Sequence, residues 1–196
     1  MNTTGIRGRF SGTNLTIFVT WRCNLPCTYC SLLATAPNTR PVSEFELTAD
    51  EWIEKVRKFP VKLRDIYITG GEPTLYKDTP KLINGLLALG YHVLVFSNLV
   101  KAEALLSVKP CRRFKIQATY HKCADIEKFK PRYEVLKEKG YRVGVDEFEY
   151  KSLPYSELKE FDNPERWKIP NFRYSPDGRL FSGVWDLYVA TAKPIK

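Results

Sequence analysis

Apolar and polar positions alternate along this chain in two rhythms, one short and one helical, and the rhythm switches repeatedly over the first 150 residues. Leu15-Thr16-Ile17-Phe18-Val19-Thr20 is compact, β-branched and aromatic, which predicts a strand. Residues 47–59 predict a helix, because Trp52, Ile53, Val56 and Phe59 fall on one face at helical spacing. Thr48 and Glu51 form a capping box at its start, and Pro60 stops it. Further strands are predicted at Asp65–Thr69, His92–Phe96, Phe114–Thr119 and Tyr141–Asp146. Between them, one helix runs from Thr79 and Pro80 to Gly90, and a short one covers Ala102–Leu106. Another spans Asp125–Lys139, kinked or restarted at Pro131 and ended by Gly140.

Strand and helix in strict turn imply an α/β fold, a parallel sheet with helical crossovers. Two architectures fit, an open doubly wound sheet and a barrel. At 196 residues the chain falls short of the roughly 250 typical of a closed eight-stranded barrel, so the barrel option is a partial TIM-like barrel of five to six parallel strands. After Pro154 the pattern changes. A short helical stretch, Tyr155–Phe161, precedes two runs, Asn171–Tyr174 and Arg179–Gly183, that flank the turn sequence Ser175-Pro176-Asp177-Gly178. This predicts a C-terminal β-hairpin, with Trp167, Trp185 and Tyr188 expected to pack the extension onto the core. The expected organisation is one domain, 1–196, with a core at 13–150 and an extension at 151–196.

Composition adds little to this picture until charge and cysteine are counted. Hydrophobic residues make up 43% and charged residues 27%, ordinary values for a globular chain. No apolar run approaches a bilayer span and no secretory signal opens the sequence, so the expected location is the cytoplasm. The net charge of +9 attracts anions, and an acidic electron donor, a phosphorylated substrate or RNA would all answer to it, as would a plain solvated coat. Of five cysteines, three lie at positions 23, 27 and 30, while Cys111 and Cys123 stand apart. In a reducing compartment such clustering points to metal or catalysis before disulfides.

The chemistry gathers at strand ends. Cys23-Asn24-Leu25-Pro26-Cys27-Thr28-Tyr29-Cys30 directly follows the first strand. Three thiolates on one short loop suit an inorganic cluster, and three ligands for four irons leave one coordination position open. Zinc would require a fourth ligand from Cys111, Cys123, His92 or His121. Thr69-Gly70-Gly71-Glu72-Pro73-Thr74 follows the second strand, where paired glycines permit close backbone approach and a carboxylate can fix an ammonium group. Ser97 and Asn98 follow the third strand, and Thr119, Tyr120 and His121 the fourth. The fifth ends in Asp146 and Glu147, candidate substrate-binding carboxylates. His92 opens a strand at the opposite end and reads as structural. Sites in β/α folds form at the carboxyl ends of parallel strands, and this is such a site laid out in one dimension.

The Cys-x₃-Cys-x₂-Cys spacing, with an aromatic before the third cysteine, together with Gly-Gly-Glu-Pro, resembles the radical S-adenosylmethionine (SAM) superfamily over residues 13 to 150. The resemblance implies an iron–sulfur enzyme, an oxidoreductase or lyase, in which Cys23, Cys27 and Cys30 hold a [4Fe–4S] cluster. It implies SAM contacts from Tyr29, Gly70, Gly71, Glu72, Pro73, Ser97, Asn98, Thr119 and His121. The cluster would cleave SAM to a 5′-deoxyadenosyl radical that takes hydrogen from a substrate, with flavodoxin or ferredoxin as electron donor. Cys123 and His121 are candidate catalytic groups at the pocket rim. The substrate is left open among peptide, nucleoside and heterocycle, with glycyl-radical activases and deazaguanine synthases as possible analogues. The competing class is a non-catalytic iron–sulfur carrier or a zinc-stabilised interaction module.

Overall fold

The computed structural model describes residues 13–27, 30, 39–41, 45–121, 123–148, 171–181 and 192–194. Nine strands and four α-helices are found among them. In chain order these are β1 (Thr13–Thr20), β2 (Thr39–Pro41), α1 (Ala49–Arg57), β3 (Leu63–Gly70), α2 (Thr79–Ala88), β4 (His92–Ser97), α3 (Ala102–Leu106), β5 (Phe114–His121), α4 (Ile126–Glu138), β6 (Arg142–Phe148), β7 (Asn171–Tyr174), β8 (Leu180–Phe181) and β9 (Ala192–Pro194). A 3₁₀ turn, Pro73–Leu75, follows β3.

The main sheet has the order β6-β5-β4-β3-β1-β7-β8. All neighbours from β6 through β7 run parallel, and only β8 is antiparallel. From β1 the strands β3, β4, β5 and β6 lie side by side in sequence order. A doubly wound sheet reverses direction partway, whereas unbroken order with right-handed crossovers keeps the helices on one face, as in a barrel. The described sheet does not close, so the fold is a partial barrel of six parallel strands.

Strand alternation sets the core. Leu15, Ile17 and Val19 of β1, Ile66 and Ile68 of β3, Val93 and Val95 of β4, and Phe114, Ile116 and Ala118 of β5 are buried in one cluster. Helical residues Trp52, Val56, Leu82, Ile83, Leu86, Leu105, Phe129 and Leu136 complete it. Tyr67 and Phe96 alternate with these core positions and meet edge to face at 6.2 Å.

The capping box at α1 is present, with Thr48 Oγ1 accepting from Glu51 N–H and Glu51 Oε2 from Thr48 N–H. Helix α4 passes through Pro131 without a break. The predicted C-terminal hairpin is found, and β7 also pairs in parallel with β1, Asn14 to Asn171 through Ile17 to Tyr174. Tyr174 carries the hairpin onto α1, its ring 5.6 Å from Trp52 and 6.1 Å from Phe59. The small β2–β9 pair escapes sequence reading because three-residue strands carry too little periodicity. The predicted stretch Tyr155–Phe161 and the aromatics Trp167, Trp185 and Tyr188 lie outside the described residues.

Trp52 is fully buried and joins the sheet to the hairpin. Trp52→Ala is expected to cost roughly 3–5 kcal/mol, read as a lowered midpoint in denaturant unfolding.

Candidate functional site

The cysteine loop is held by backbone before any side chain is considered. Strand β1 ends at Thr20, paired with Gly70 of β3. The parallel ladder then continues past both strands. Gly71 N–H donates to the Thr20 carbonyl at 2.8 Å, and Glu72 N–H to the Arg22 carbonyl at 2.8 Å. The glycines make this approach possible. Gly70 sits at φ +142°, and a Cβ there would stand 2.2 Å from the Thr20 oxygen. A Cβ on Gly71 would meet the Arg22 oxygen at 2.3 Å and the Trp21 oxygen at 2.6 Å. What the paired glycines approach closely in this structure is the cysteine loop itself.

Glu72 is the second tie. Its side chain is buried and accepts four hydrogen bonds. Thr74 N–H and Thr74 Oγ1 donate to Oε1 at 2.9 and 2.7 Å, Ser97 Oγ to Oε1 at 2.8 Å, and Asn98 N–H to Oε2 at 2.7 Å. One carboxylate thus binds the turn after β3 to the end of β4. Burial pushes its pKa above the usual carboxylate range, and the four donors pull it partly back. Asn98 extends the tie, donating from Nδ2 to Asn24 Oδ1 at 3.0 Å, inside the cysteine loop. Its own Oδ1 accepts from Val100 N–H at 3.0 Å, while Ser97 Oγ accepts from Leu99 N–H at 2.9 Å. Between these bonds the buried Leu99 is held at φ +61°, unusual for a bulky residue and characteristic of over-determined backbone near functional sites.

A third tie comes from Glu46, which sequence reasoning missed. It accepts from Arg22 Nη2 at 2.7 Å and Arg22 Nε at 3.2 Å, and it bonds Thr20 Oγ1. Neighbouring Leu47 is fixed by Pro176 of the hairpin turn, whose carbonyl accepts from Leu47 N–H at 2.9 Å, and by Tyr76 Oη on the Leu47 carbonyl at 2.7 Å. The hairpin therefore steadies the residues just before Cys23. A lone glutamate ahead of a helix carries no motif, so nothing in one dimension marked it.

Cys23 and Cys30 are half-buried and close enough for the charge of one to affect the other. Burial chiefly pushes the Cys23 thiol up, Leu25 N–H on its sulfur at 3.5 Å pulls it down, and Glu72 and Cys30 push it up again. Cys27 is buried, with its Sγ 3.0 Å from Cys123 Sγ. Thr119 and His121 stand at the end of β5, in register with Asp146 and Phe148 of β6, and Glu147 pairs with Tyr120. Burial alone lowers the pKa of His121, favouring its neutral form near pH 7. Pro73 opens the 3₁₀ turn beside Glu72. Cys111 and His92 precede or open strands and so lie at the other end of the sheet, where His92 Nδ1 is 3.7 Å from Asp65 Oδ1. Tyr29 is outside the described residues. Among the described residues no three of His, Cys, Asp and Glu gather around a point that would hold a single metal ion.

A partial barrel with three cysteines after its first strand and a Gly-Gly-Glu-Pro turn after the next parallel one defines the class. The model of the radical SAM superfamily matches residues 17–119, and the chain belongs to that superfamily. Members of the superfamily carry a [4Fe–4S] cluster and use SAM. The chain is 32% identical over 91 residues, 46% of its length, to 7-carboxy-7-deazaguanine synthase of Halobacterium salinarum, covering 34% of that protein. It is 42% identical over 72 residues, 36% of its length, to a probable GTP 3′,8-cyclase of Archaeoglobus fulgidus, covering 23%. It thus spans about a third of the first of these curated relatives and about a quarter of the second. In fold it is similar to BtrN in complex with AdoMet and 2-DOIA, with TM-score 0.63 and 16% identity over 90% of this chain and 74% of that one. It is also similar to Streptococcus suis SuiB bound to the precursor peptide SuiA, with TM-score 0.57 and 14% identity over 91% and 61%.

Glu72→Gln separates two roles for that side chain. An amide puts an N–H₂ where donors already point, so a tie between strands loses roughly 1–3 kcal/mol of stability in denaturant unfolding. A residue needed only for charge toward an ammonium group would leave that midpoint unchanged.

Proposed function

We propose that this chain is a radical SAM enzyme in which Cys23, Cys27 and Cys30 ligate a [4Fe–4S] cluster, with SAM lying against the turn at 70–73 and the strand ends at Ser97, Asn98, Thr119 and His121. The observation that carries this reading is the coupling of the cysteine loop to the Gly-Gly-Glu-Pro turn through Thr20, Arg22 and Asn24. The donor set fits the group. All three ligands are sulfur, the type that iron–sulfur clusters take, and they come from one loop. Each thiolate on a four-iron cluster takes a different iron, so such ligands need not crowd around one point as they would on zinc. When bound, the cluster supplies the electron that breaks the sulfonium C–S bond of SAM, leaving methionine and a 5′-deoxyadenosyl radical to take hydrogen from the substrate.

The chain's own groups do the remaining work. The backbone ladder from Thr20 to Glu72 fixes the distance between the cysteine loop and the SAM turn. Leu25 N–H on Cys23 Sγ stabilises negative charge on that sulfur, one of the levers on cluster potential. A neutral His121 offers a hydrogen bond without adding positive charge. The substrate would cross the sheet face that carries Tyr67, Phe96 and Gln117, with Asp146 and Glu147 as contacts and Cys123 at the rim. We favour a heterocycle or a peptide as substrate, in keeping with the names of the matched relative and the similar fold. An acidic low-potential protein would suit the +9 charge as electron donor.

Anaerobic reconstitution with iron and sulfide is the test. The expected product is a brown protein that makes 5′-deoxyadenosine from SAM under dithionite, whereas a zinc module stays colourless and an electron carrier is coloured but leaves SAM intact. Cys27→Ala should lower deoxyadenosine formation to the level of the cluster-free chain while the fold persists. Turnover that survived this change would refute the ligand assignment.

A further inference from the structure

Cys27 and Cys123 stand side by side although 96 residues separate them, with their sulfurs 3.0 Å apart. Cys27 is buried in the cysteine loop and Cys123 is exposed. Both backbones are anchored. Cys30 N–H donates to the Cys27 carbonyl at 3.2 Å, and Ala124 N–H to the His121 carbonyl at 2.7 Å. Just beyond, Asp125 caps α4 through Glu127 N–H at 3.0 Å. The juxtaposition joins two loops that are each braced by a hydrogen-bonded turn of their own. It also pairs an accessible sulfur with a shielded one, the arrangement in which a first oxidised thiol is resolved by a second.

We propose that Cys27 and Cys123 form a reversible disulfide when the chain holds no cluster and meets a peroxide. The exposed Cys123 sulfur, as thiolate, attacks one peroxide oxygen. The O–O bond breaks, Cys123 becomes a sulfenic acid, and the departing hydroxide is protonated to water. The Cys27 sulfur then attacks the sulfenic sulfur, the S–O bond breaks, and a second water leaves. Two thiols and one hydrogen peroxide give one disulfide and two waters, the sulfurs losing two electrons and the peroxide gaining them. A dithiol returns both thiols by exchange. On the reading of Cys27 as a cluster ligand, the disulfide closes the loop to iron while sparing it irreversible oxidation to sulfinic acid. Reduction then reopens the loop for assembly.

The full chain, cluster-free, is treated with one equivalent of hydrogen peroxide under argon and digested with trypsin without reductant. Mass spectrometry should find the peptide beginning at Cys23 joined to the peptide beginning at Cys123, two hydrogens lighter than their sum. Fragmentation should place the bond at Cys27, and dithiothreitol should separate the two. In Cys123→Ser the joined species should be absent. After peroxide and dithiothreitol, that variant should take up several-fold less iron and sulfide on reconstitution than the parent chain. Cys123→Ser retaining the parent's capacity would overturn the protective role. Sulfinic acid on Cys123 with Cys27 reduced, or a bond to Cys23 or Cys30, would overturn the pairing. If the Cys27–Cys123 bond forms yet Cys27→Ala still assembles a cluster, the disulfide stands and the ligand assignment of Cys27 fails.

Discussion

Two backbones can pack as closely as Gly70 and Gly71 pack against Thr20 and Arg22 only where no Cβ stands between them, and the site is organised around that restriction. Arg22 and Thr20 offer carbonyls from the cysteine loop and the end of β1, and Gly71 and Glu72 answer with N–H groups. A methyl group at position 71 would overlap Arg22 outright. The loop that carries three sulfurs is in this way a continuation of the sheet, with its position set by main-chain bonds rather than by its own stiffness.

Glu72 then converts a local turn into a cross-strand joint. A buried carboxylate is costly unless its lone pairs are satisfied, and the donors come from both Thr74 and the end of β4. Asn98 passes the constraint back to Asn24. Three successive segments are thereby locked together at the edge where β/α folds gather their chemistry. The extension joins the same scheme through Pro176, Leu47 and Glu46.

Most of this was legible in one dimension. The five strands at the core read correctly because buried parallel strands concentrate β-branched and aromatic residues, as in Leu15–Thr20 and His92–Phe96. The family motifs read because cysteine and paired glycine are rare at such spacings. What did not read were the partners. Gly-Gly-Glu suggests a cradle for a ligand, but only three-dimensional packing shows that the glycines adjoin Arg22 and that Glu72 faces Ser97. Glu46 depends on an ion pair across 24 residues, and Cys123 on a contact across 96, separations at which local sequence carries no signal. The choice between a barrel and a doubly wound sheet likewise required strand order, which the pattern of strands and helices does not encode.

The pairing of β7 with β1 has a consequence for the history of the molecule. The strand that precedes the cysteines is internal, flanked by β3 on one side and by a strand drawn from residues 171–174 on the other. Long-range parallel pairing is slow because loop closure must precede its reward. During synthesis, β1 leaves the ribosome well ahead of β7 and waits for some 150 further residues before both its edges are covered. The Pro176 anchor on Leu47 arrives in the same late step. The last part of this edge of the sheet to gain its full set of bonds is therefore the first part of it to be translated.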